Sequence, residues 1–449
     1  MSDPISQPRS PATPVYILRG HAAPIHGLHV FHQNLRLISG DAEGWVVVWD
    51  LVSKRPIASW KAHDGALLEV KGFSLEAEVT EVYTHGRDHK LRVWRLRAQD
   101  EAILAKTLPV DVAGQASSTQ TQPWLVHSLP VNALNFCAFS MTFIDEVDRT
   151  PDSQQSTAEG DSQPAPSPAG NDVRRPAVLF AVPNALDSGA IDLFHLPSER
   201  RVCTIPADSA VKTGMVMAVN LVLAKSGELY VASAYEDGHV MVSACRGALR
   251  EKNFSRGSKT VWSWEKLYFC RPHTQPALSI DVAPSGDSFL SSSADALLVK
   301  HPIPLLSPNS SPLQGAAEDH PLKQVNTKHS GQQGLRVRSD GKIFATAGWD
   351  SRVRVYSCKT LKELAVLKWH KDGCYAVAFA DVASPVPECE AENQDQSEGK
   401  YESGAIQLTG SEAQFSLATV QRQRNRKVQN THWLAAGSKD GKISLWDIY

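Results

Sequence analysis

The chain has 449 residues, with 46 Lys and Arg against 48 Asp and Glu, for a formal net charge of −2. A balance this even argues against non-specific binding of nucleic acid or of an anionic membrane surface, and no apolar run of about 18 residues marks a transmembrane helix. The seven cysteines are scattered and odd in number, with no Cys-x-x-Cys, which points to free, buried thiols in a reducing compartment.

Residues 1–13 are rich in Ser and Pro and lack an apolar signal core, so a disordered tail is expected there. A repeated phrase follows. A turn, an apolar strand and a terminal aromatic run from Glu43 to Trp49, and again from Asp88 to Trp94. Degraded copies run from Ser188 to Phe194, Asp237 to Ser243, Asp295 to His301 and Asp350 to Tyr356; the clearest copy is Asp440 to Trp446. Seven copies at intervals of roughly 40 to 50 residues mark a repeat architecture.

Most copies have a histidine upstream: His21, His63, His127, His273, His329 and His370, with none near Lys212 in the fourth repeat. Each repeat then offers a first apolar run such as Tyr375 to Phe379, and a second such as Trp433 to Ala436. Such runs between turn residues read as antiparallel strands. Many are apolar at every position, which fits a sheet covered on both faces; in a propeller each blade is sandwiched by its neighbours. The expected fold is all-β, a single seven-bladed propeller over residues 14–449. Its blades are expected near 19–57, 61–97, 127–199, 210–247, 272–303, 327–362 and 369–449. The last repeat has only three residues after Trp446, so residues 15–18 are expected to supply its outer strand and close the ring.

Three insertions interrupt the rhythm. Residues 146–175 are rich in Ser, Pro and Gln, between a first strand expected at Ala133 to Phe139 and a second at Ala177 to Val182. Residues 302–321 are rich in Pro and Ser. Residues 383–430 begin acidic (Glu388, Glu390, Glu392, Asp395, Glu398) and end basic (Arg422, Arg424, Arg426, Lys427). All three are expected to be disordered surface loops, and the basic cluster is a weak match to a nuclear-import signal.

No catalytic constellation emerges. His26, His29 and His32 fall within the expected first strand region of the first repeat, and on a strand His29 would face opposite to the other two, so no metal site is expected. The stretch Gly437 to Lys442 is one residue too short for a phosphate loop and lacks its hydroxyl. No nucleophile elbow or zinc-protease motif is present. No catalytic residue, cofactor or metal is therefore expected.

The His…Ser-x-Asp…Trp pattern resembles the WD40 repeat. That resemblance implies a hydrogen-bonded tetrad in each blade, matched in full by His370, Ser438, Asp440 and Trp446. The other repeats are worn. Glu43 replaces Asp in the first, and Phe194, Ser243, His301 and Tyr356 replace Trp in the third to sixth. The last blade is thus expected to matter most for stability.

The residue before the tetrad Asp points to one face in such propellers. Here these residues are Ala42, Arg87, Asp187, Glu236, Ala294, Trp349 and Lys439. Arg and Trp dominate interface hot spots, so Arg87 and Trp349, with Lys439 and Lys371, are the candidate partner-binding residues. The bland alternative is that Trp349 folds back onto its own blade.

Over all seven repeats the chain resembles the ASTRA-associated protein family of fungi. The resemblance rests on Pro14 to His21, Ser39 to Gly44, Thr84 to Leu91, Lys368-Trp369-His370 and Ala436 to Asp440. It implies a non-catalytic scaffold in the ASTRA assembly, with a PI3-kinase-like protein, its co-chaperones and RuvB-like AAA+ ATPases as partners. It also implies a role in chromatin remodelling and a nuclear location, with the cytosol the other compartment compatible with free thiols. The competing reading is an adaptor in signalling or ubiquitin ligation. A Gβ role is disfavoured, because no heptad helix precedes the first repeat. No direct nucleic-acid contact, no membrane and no obligatory homo-oligomer are expected, since a closed propeller leaves no open edge.

Overall fold

Runs such as Trp45–Asp50 and Ile343–Gly348 are rich in β-branched, aromatic and small apolar residues, and they are buried on both sides. Such composition favours the pleated backbone, and the turn residues between runs set the hairpins. The computed structural model describes residues 12–76, 78–112, 121–132, 137–144, 177–245, 262–306, 319–382 and 417–448. Within them lie seven four-stranded antiparallel sheets, the blades of a seven-bladed β-propeller.

The first strands are Ile25–Phe31, Leu67–Glu76, Ser140–Ile144, Val216–Leu223, Ala277–Val282, Gln332–Val337 and Cys374–Phe379. They, or the residues leading into them, surround an axial cavity of about 160 Å³. In six blades the first strand bulges at its second residue. The residues extruded there are His26, Leu68, Met217, Leu278, Gln333 and Tyr375, and all six line the cavity. A bulge re-aims a side chain that regular alternation would send elsewhere, and here it furnishes the wall of the channel.

The ring closes by strand exchange. Tyr16–Arg19 pairs antiparallel with the last strand, from Tyr16 opposite Leu445 to Arg19 opposite Lys442. The turns between second and third strands lock neighbouring blades. Gly44 has φ +87°, and a Cβ there would sit 2.0 Å from the carbonyl oxygen of His63 in the next blade. Gly441 repeats this across the closure, 2.3 Å from the carbonyl oxygen of His21. Positive φ with no room for a side chain requires glycine at both places.

Several sequence expectations need correction. The third blade does not begin near His127. Trp124–Pro130 is the outer strand of the second blade, paired with Lys90–Arg97, and His127 lies opposite Val93. The third blade's first strand is Ser140–Ile144, not Ala133 to Phe139; residues 133–136 of that expectation lie outside the described residues. Outer strands Trp264–Cys270, Lys323–Asn326 and Glu363–Lys368 likewise fall beyond the blade limits read from the repeated phrase. The phrase marks the turn and third strand, whereas the outer strand has no conspicuous motif. Between the second blade's third and outer strands lie a 3-10 turn, Ala98–Ala102, and a short helix α1, Pro109–Val112.

The 302–321 insertion also starts late, since Pro302 ends a strand and Ile303 is buried. The 383–430 insertion is not wholly loop, because Leu417–Gln429 is a 13-residue helix, α2. Its last turn is anchored below the seventh blade. The Trp433 indole donates to the Val428 carbonyl at 3.0 Å, and the Asn34 amide donates to the Gln429 carbonyl at 3.1 Å. Residues 146–175, 307–318 and 383–416 of the expected insertions, and residues 1–11 of the expected tail, lie outside the described residues.

Candidate interaction surface

The blade interiors determine how the surface turns are held. In the second blade His63 Nδ1 is 2.7 Å from Asp88 Oδ1 and its Nε2 is 2.8 Å from Thr84 Oγ1. The Trp94 indole donates to the same hydroxyl at 3.0 Å. A carboxylate only accepts, so Nδ1 carries the proton and Nε2 accepts from the hydroxyl. Indole, hydroxyl, imidazole and carboxylate then form one directional chain with every member satisfied. Burial lowers the His63 pKa against the pull of Asp88. Burial alone would raise Asp88, but the His63 hydrogen bond and the charges of His63 and Arg92 hold it well below the usual carboxylate range.

The first and fifth blades reach the same chemistry by different residues. In the first blade His21 pairs with Asp41 at 2.7 Å and with Ser39 at 2.7 Å, and Trp49 donates to Ser39 at 2.8 Å. Glu43 is therefore no impaired substitute; Asp41, two residues earlier, supplies the carboxylate. In the fifth blade His273 contacts Asp295 at 3.2 Å and Ser291 at 2.8 Å. His301 replaces the tryptophan without loss, with Nε2 2.8 Å from Ser291 Oγ and Nδ1 2.8 Å from the Tyr268 hydroxyl. The worn appearance of these two repeats is misleading.

The seventh blade corrects the expectation in the other direction. Ser438 does not join His370. Its hydroxyl donates to the Asp372 carbonyl at 3.3 Å. The hydroxyl that bridges His370 Nε2 and the Trp446 indole belongs to Ser444, at 2.8 Å from each. The cause is register. The position held by Thr84 in the second blade is Ala436 here, and Ala436 lies directly opposite Ser444. Directly opposed side chains share a face about 5 Å apart, so either can present oxygen to the same point. Asp440 stands 3.9 Å from His370 Nδ1 and is instead held by Lys442 at 2.6 Å. Nδ1 of His370 is buried without a partner, and burial lowers its pKa to about 4. In the sixth blade Gln332, not His329, meets the central hydroxyl, that of Thr346, at 2.7 Å.

These cores orient the turns. The backbone N–H of Ala42, Arg87, Glu236, Ala294, Trp349 and Lys439 each donates to a carbonyl in its own blade's leading loop, at 2.8 to 3.3 Å. Six blades therefore present this residue in a common way. Arg87, Lys371 and Lys439 are exposed. Trp349 satisfies both readings in part. Its indole donates to Gln333 at 2.7 Å and its ring lies over Gly331, yet it remains 48% exposed. The same rim is basic in the sixth, seventh and first blades. Lys368 and Arg19 end their strands opposite Arg352 and Lys442, and Lys61 ends its strand opposite Trp45. In the third and fourth blades the corresponding turns expose Asp187 and Glu236.

The axial cavity carries a second feature that the repeat did not reveal. Arg336 of the sixth blade reaches Glu69 of the second, with Nη2 2.6 Å from Oε2. Lys71 and Asp281 adjoin this pair. Burial lowers the Lys71 pKa and raises that of Asp281. Burial also lowers His29 to about 3, assisted by the charges of Lys71 and Arg336, and His29 Nδ1 accepts from the Gly72 N–H at 3.2 Å. Among the described residues no group of three His, Cys, Asp or Glu could hold a metal ion. The six described cysteines are free.

Fold and rim define a seven-bladed β-propeller whose turns expose Arg87, Trp349 and Lys439. The profile of the family described as ASA1, ASTRA-associated protein 1, matches residues 14–446. ASTRA-associated protein 1 of Aspergillus niger is 65% identical over 453 residues, covering 100% of this chain and 99% of that one. The Aspergillus flavus protein of the same name is 64% identical over 100% of both chains. The Penicillium rubens protein is 62% identical over 99% of both. The chain belongs to the ASTRA-associated protein 1 family.

Proposed function

We propose that the protein is a non-catalytic, nuclear WD-type scaffold that contributes to chromatin regulation and to maturation of a PI3-kinase-like protein within the ASTRA assembly. The carrying observation is family membership over residues 14–446, joined to a rim on which Trp349, Lys371, Lys439 and Arg87 are exposed. The co-chaperones of that kinase-like protein and RuvB-like AAA+ ATPases are the expected partners. The half-exposed indole offers an apolar anchor, and the flanking cations suit an acidic partner edge. Rim charges set association rate and register more than stability, so their loss should spare the fold.

Affinity purification of the tagged full chain, followed by mass spectrometry, tests the assembly. Recovery of a cullin adaptor or a Gγ-like subunit in place of ASTRA components would establish the adaptor reading instead. Arg87→Ala with Trp349→Ala should reduce partner recovery at least tenfold while leaving the melting temperature within about 2 °C, as expected for surface changes. Unchanged recovery from the stable double variant would move the contact off this rim.

A further inference from the structure

Helix α2 has a composition that the propeller does not require. Arg422, Arg424, Arg426 and Lys427 are all exposed, the described helix contains no acidic residue, and none of the four makes an ion pair among the described residues. Two of them have a local explanation, because Arg426 and Lys427 lie in the last turn and favour the negative end of the helix dipole. Arg422 and Arg424 do not. At 3.6 residues per turn the four cations spread over roughly 200° of the circumference. The last turn of α2 is anchored to the propeller through Val428 and Gln429, and Thr419, Val420 and Asn425 are half-buried. The exposed positions between and beside the cations are Gln421 and Gln423.

That arrangement disfavours a protein groove. Protein interfaces are built on an apolar centre from which charge is depleted. Among the described side chains of α2 the only fully buried apolar one, Val428, already faces the propeller. A helix with cations and amides on most sides instead matches a ligand whose walls are anionic on both flanks and whose floor is polar. The major groove of B-form DNA is such a ligand and admits one α-helix. The deep, narrow major groove of an RNA duplex does not. Without the four cations of α2 the chain carries a formal charge of −6, so attraction would be local to this helix and not a property of the whole surface.

We propose that α2 is a duplex-DNA contact element, docking by phosphate neutralisation along the major groove and separate from the rim that engages protein partners. Its affinity would be modest and dominated by counterion release.

The test uses the full chain, a fluorescein-labelled DNA duplex of about 20 base pairs and fluorescence anisotropy across a KCl series. Four neutralised phosphates give a slope of log K against log salt of about −3.6. Replacing all four cations with Gln should weaken binding at least tenfold at the lowest salt. The pair Arg422→Gln and Arg424→Gln, remote from the anchored turn, should halve the slope and leave the melting temperature unchanged. This pair keeps the test valid if the fourfold variant loosens the helix. Absence of binding by the wild-type chain at low salt, or undiminished binding by either variant, overturns the proposal. Equal affinity for an RNA duplex overturns the groove mode, and tighter binding of poly-glutamate than of duplex assigns the helix to an acidic protein partner.

Discussion

The second and seventh blades carry the same turn, the same histidine and the same tryptophan, yet their interiors are connected differently. In the second, the carboxylate, imidazole, hydroxyl and indole form an unbroken chain. In the seventh, the hydroxyl comes from the neighbouring strand, and the carboxylate has turned away to Lys442, leaving one imidazole nitrogen unpartnered. The seventh blade compensates elsewhere, since its outer strand is supplied by Tyr16–Arg19 and joins the chain ends. A blade can therefore be close to the repeat in sequence and incomplete in its polar core. Polar completeness and ring closure are separate sources of stability, and substitutions can tell them apart.

The largest contrast should come from the two turn aspartates. Asp88→Ala removes the acceptor for both His63 and Arg92 in a largely buried site. Breaking such a pair leaves uncompensated donors and costs about 3–5 kcal/mol. Asp440→Ala removes the Lys442 ammonium contact at 2.6 Å, a turn hydrogen bond from the Lys442 backbone N–H at 3.2 Å and a distant contact to His370, and should cost about 1 kcal/mol. Denaturant titration of both variants measures the difference. Equal losses would show that the 3.9 Å separation in the seventh blade still carries a full interaction.

Acid stability sharpens the comparison. His370 is held neutral by burial, with its pKa lowered to about 4 from the ordinary 6.5. Between those values the unfolded chain binds a proton that the folded chain does not, so stability falls as pH drops from 6.5 towards 4. A shift of this size corresponds to a loss on the order of 3 kcal/mol. His370→Gln should flatten that part of the profile. His63→Gln should flatten it less while lowering stability more at neutral pH, because His63 is lowered against a directly bonded carboxylate. Melting temperatures read at intervals from pH 7 to pH 4 decide the order.

What the sequence conveys and what it conceals follow the same division. Turns and third strands are legible because glycine, aspartate and a terminal aromatic recur at fixed offsets. The exposed residues Arg87, Lys439 and Trp349 are legible for the same reason, since each directly precedes a turn aspartate. The tetrad hydroxyl is not, because Ala436 and Ser444 occupy opposed positions that spacing cannot distinguish. Outer strands such as Trp124–Pro130 carry no motif and can lie far downstream. Helix α2 is hidden by its own composition, since Gln, Arg and Asn give no apolar stripe and Val428 is its one fully buried anchor among the described side chains.

The smallest expected effect, the rescue of a lost hydroxyl, tests the register argument itself. Ser444→Ala leaves His370 Nε2 and the Trp446 indole facing an empty site, at a cost of about 1–3 kcal/mol. Ser438→Ala should cost less, because its hydroxyl makes a single long contact to a carbonyl. If opposed positions are interchangeable, Ala436→Ser in the Ser444→Ala background returns a hydroxyl to the same point from the strand that supplies it in the first and second blades. The recovery should be about 1 kcal/mol, limited by the added oxygen in a tightly packed strand. Ala436→Ser in the wild-type background should be neutral or slightly destabilising, since the site is already filled. The four melting curves form a double-mutant cycle, and additivity within about 0.3 kcal/mol would show that the two positions do not share the histidine.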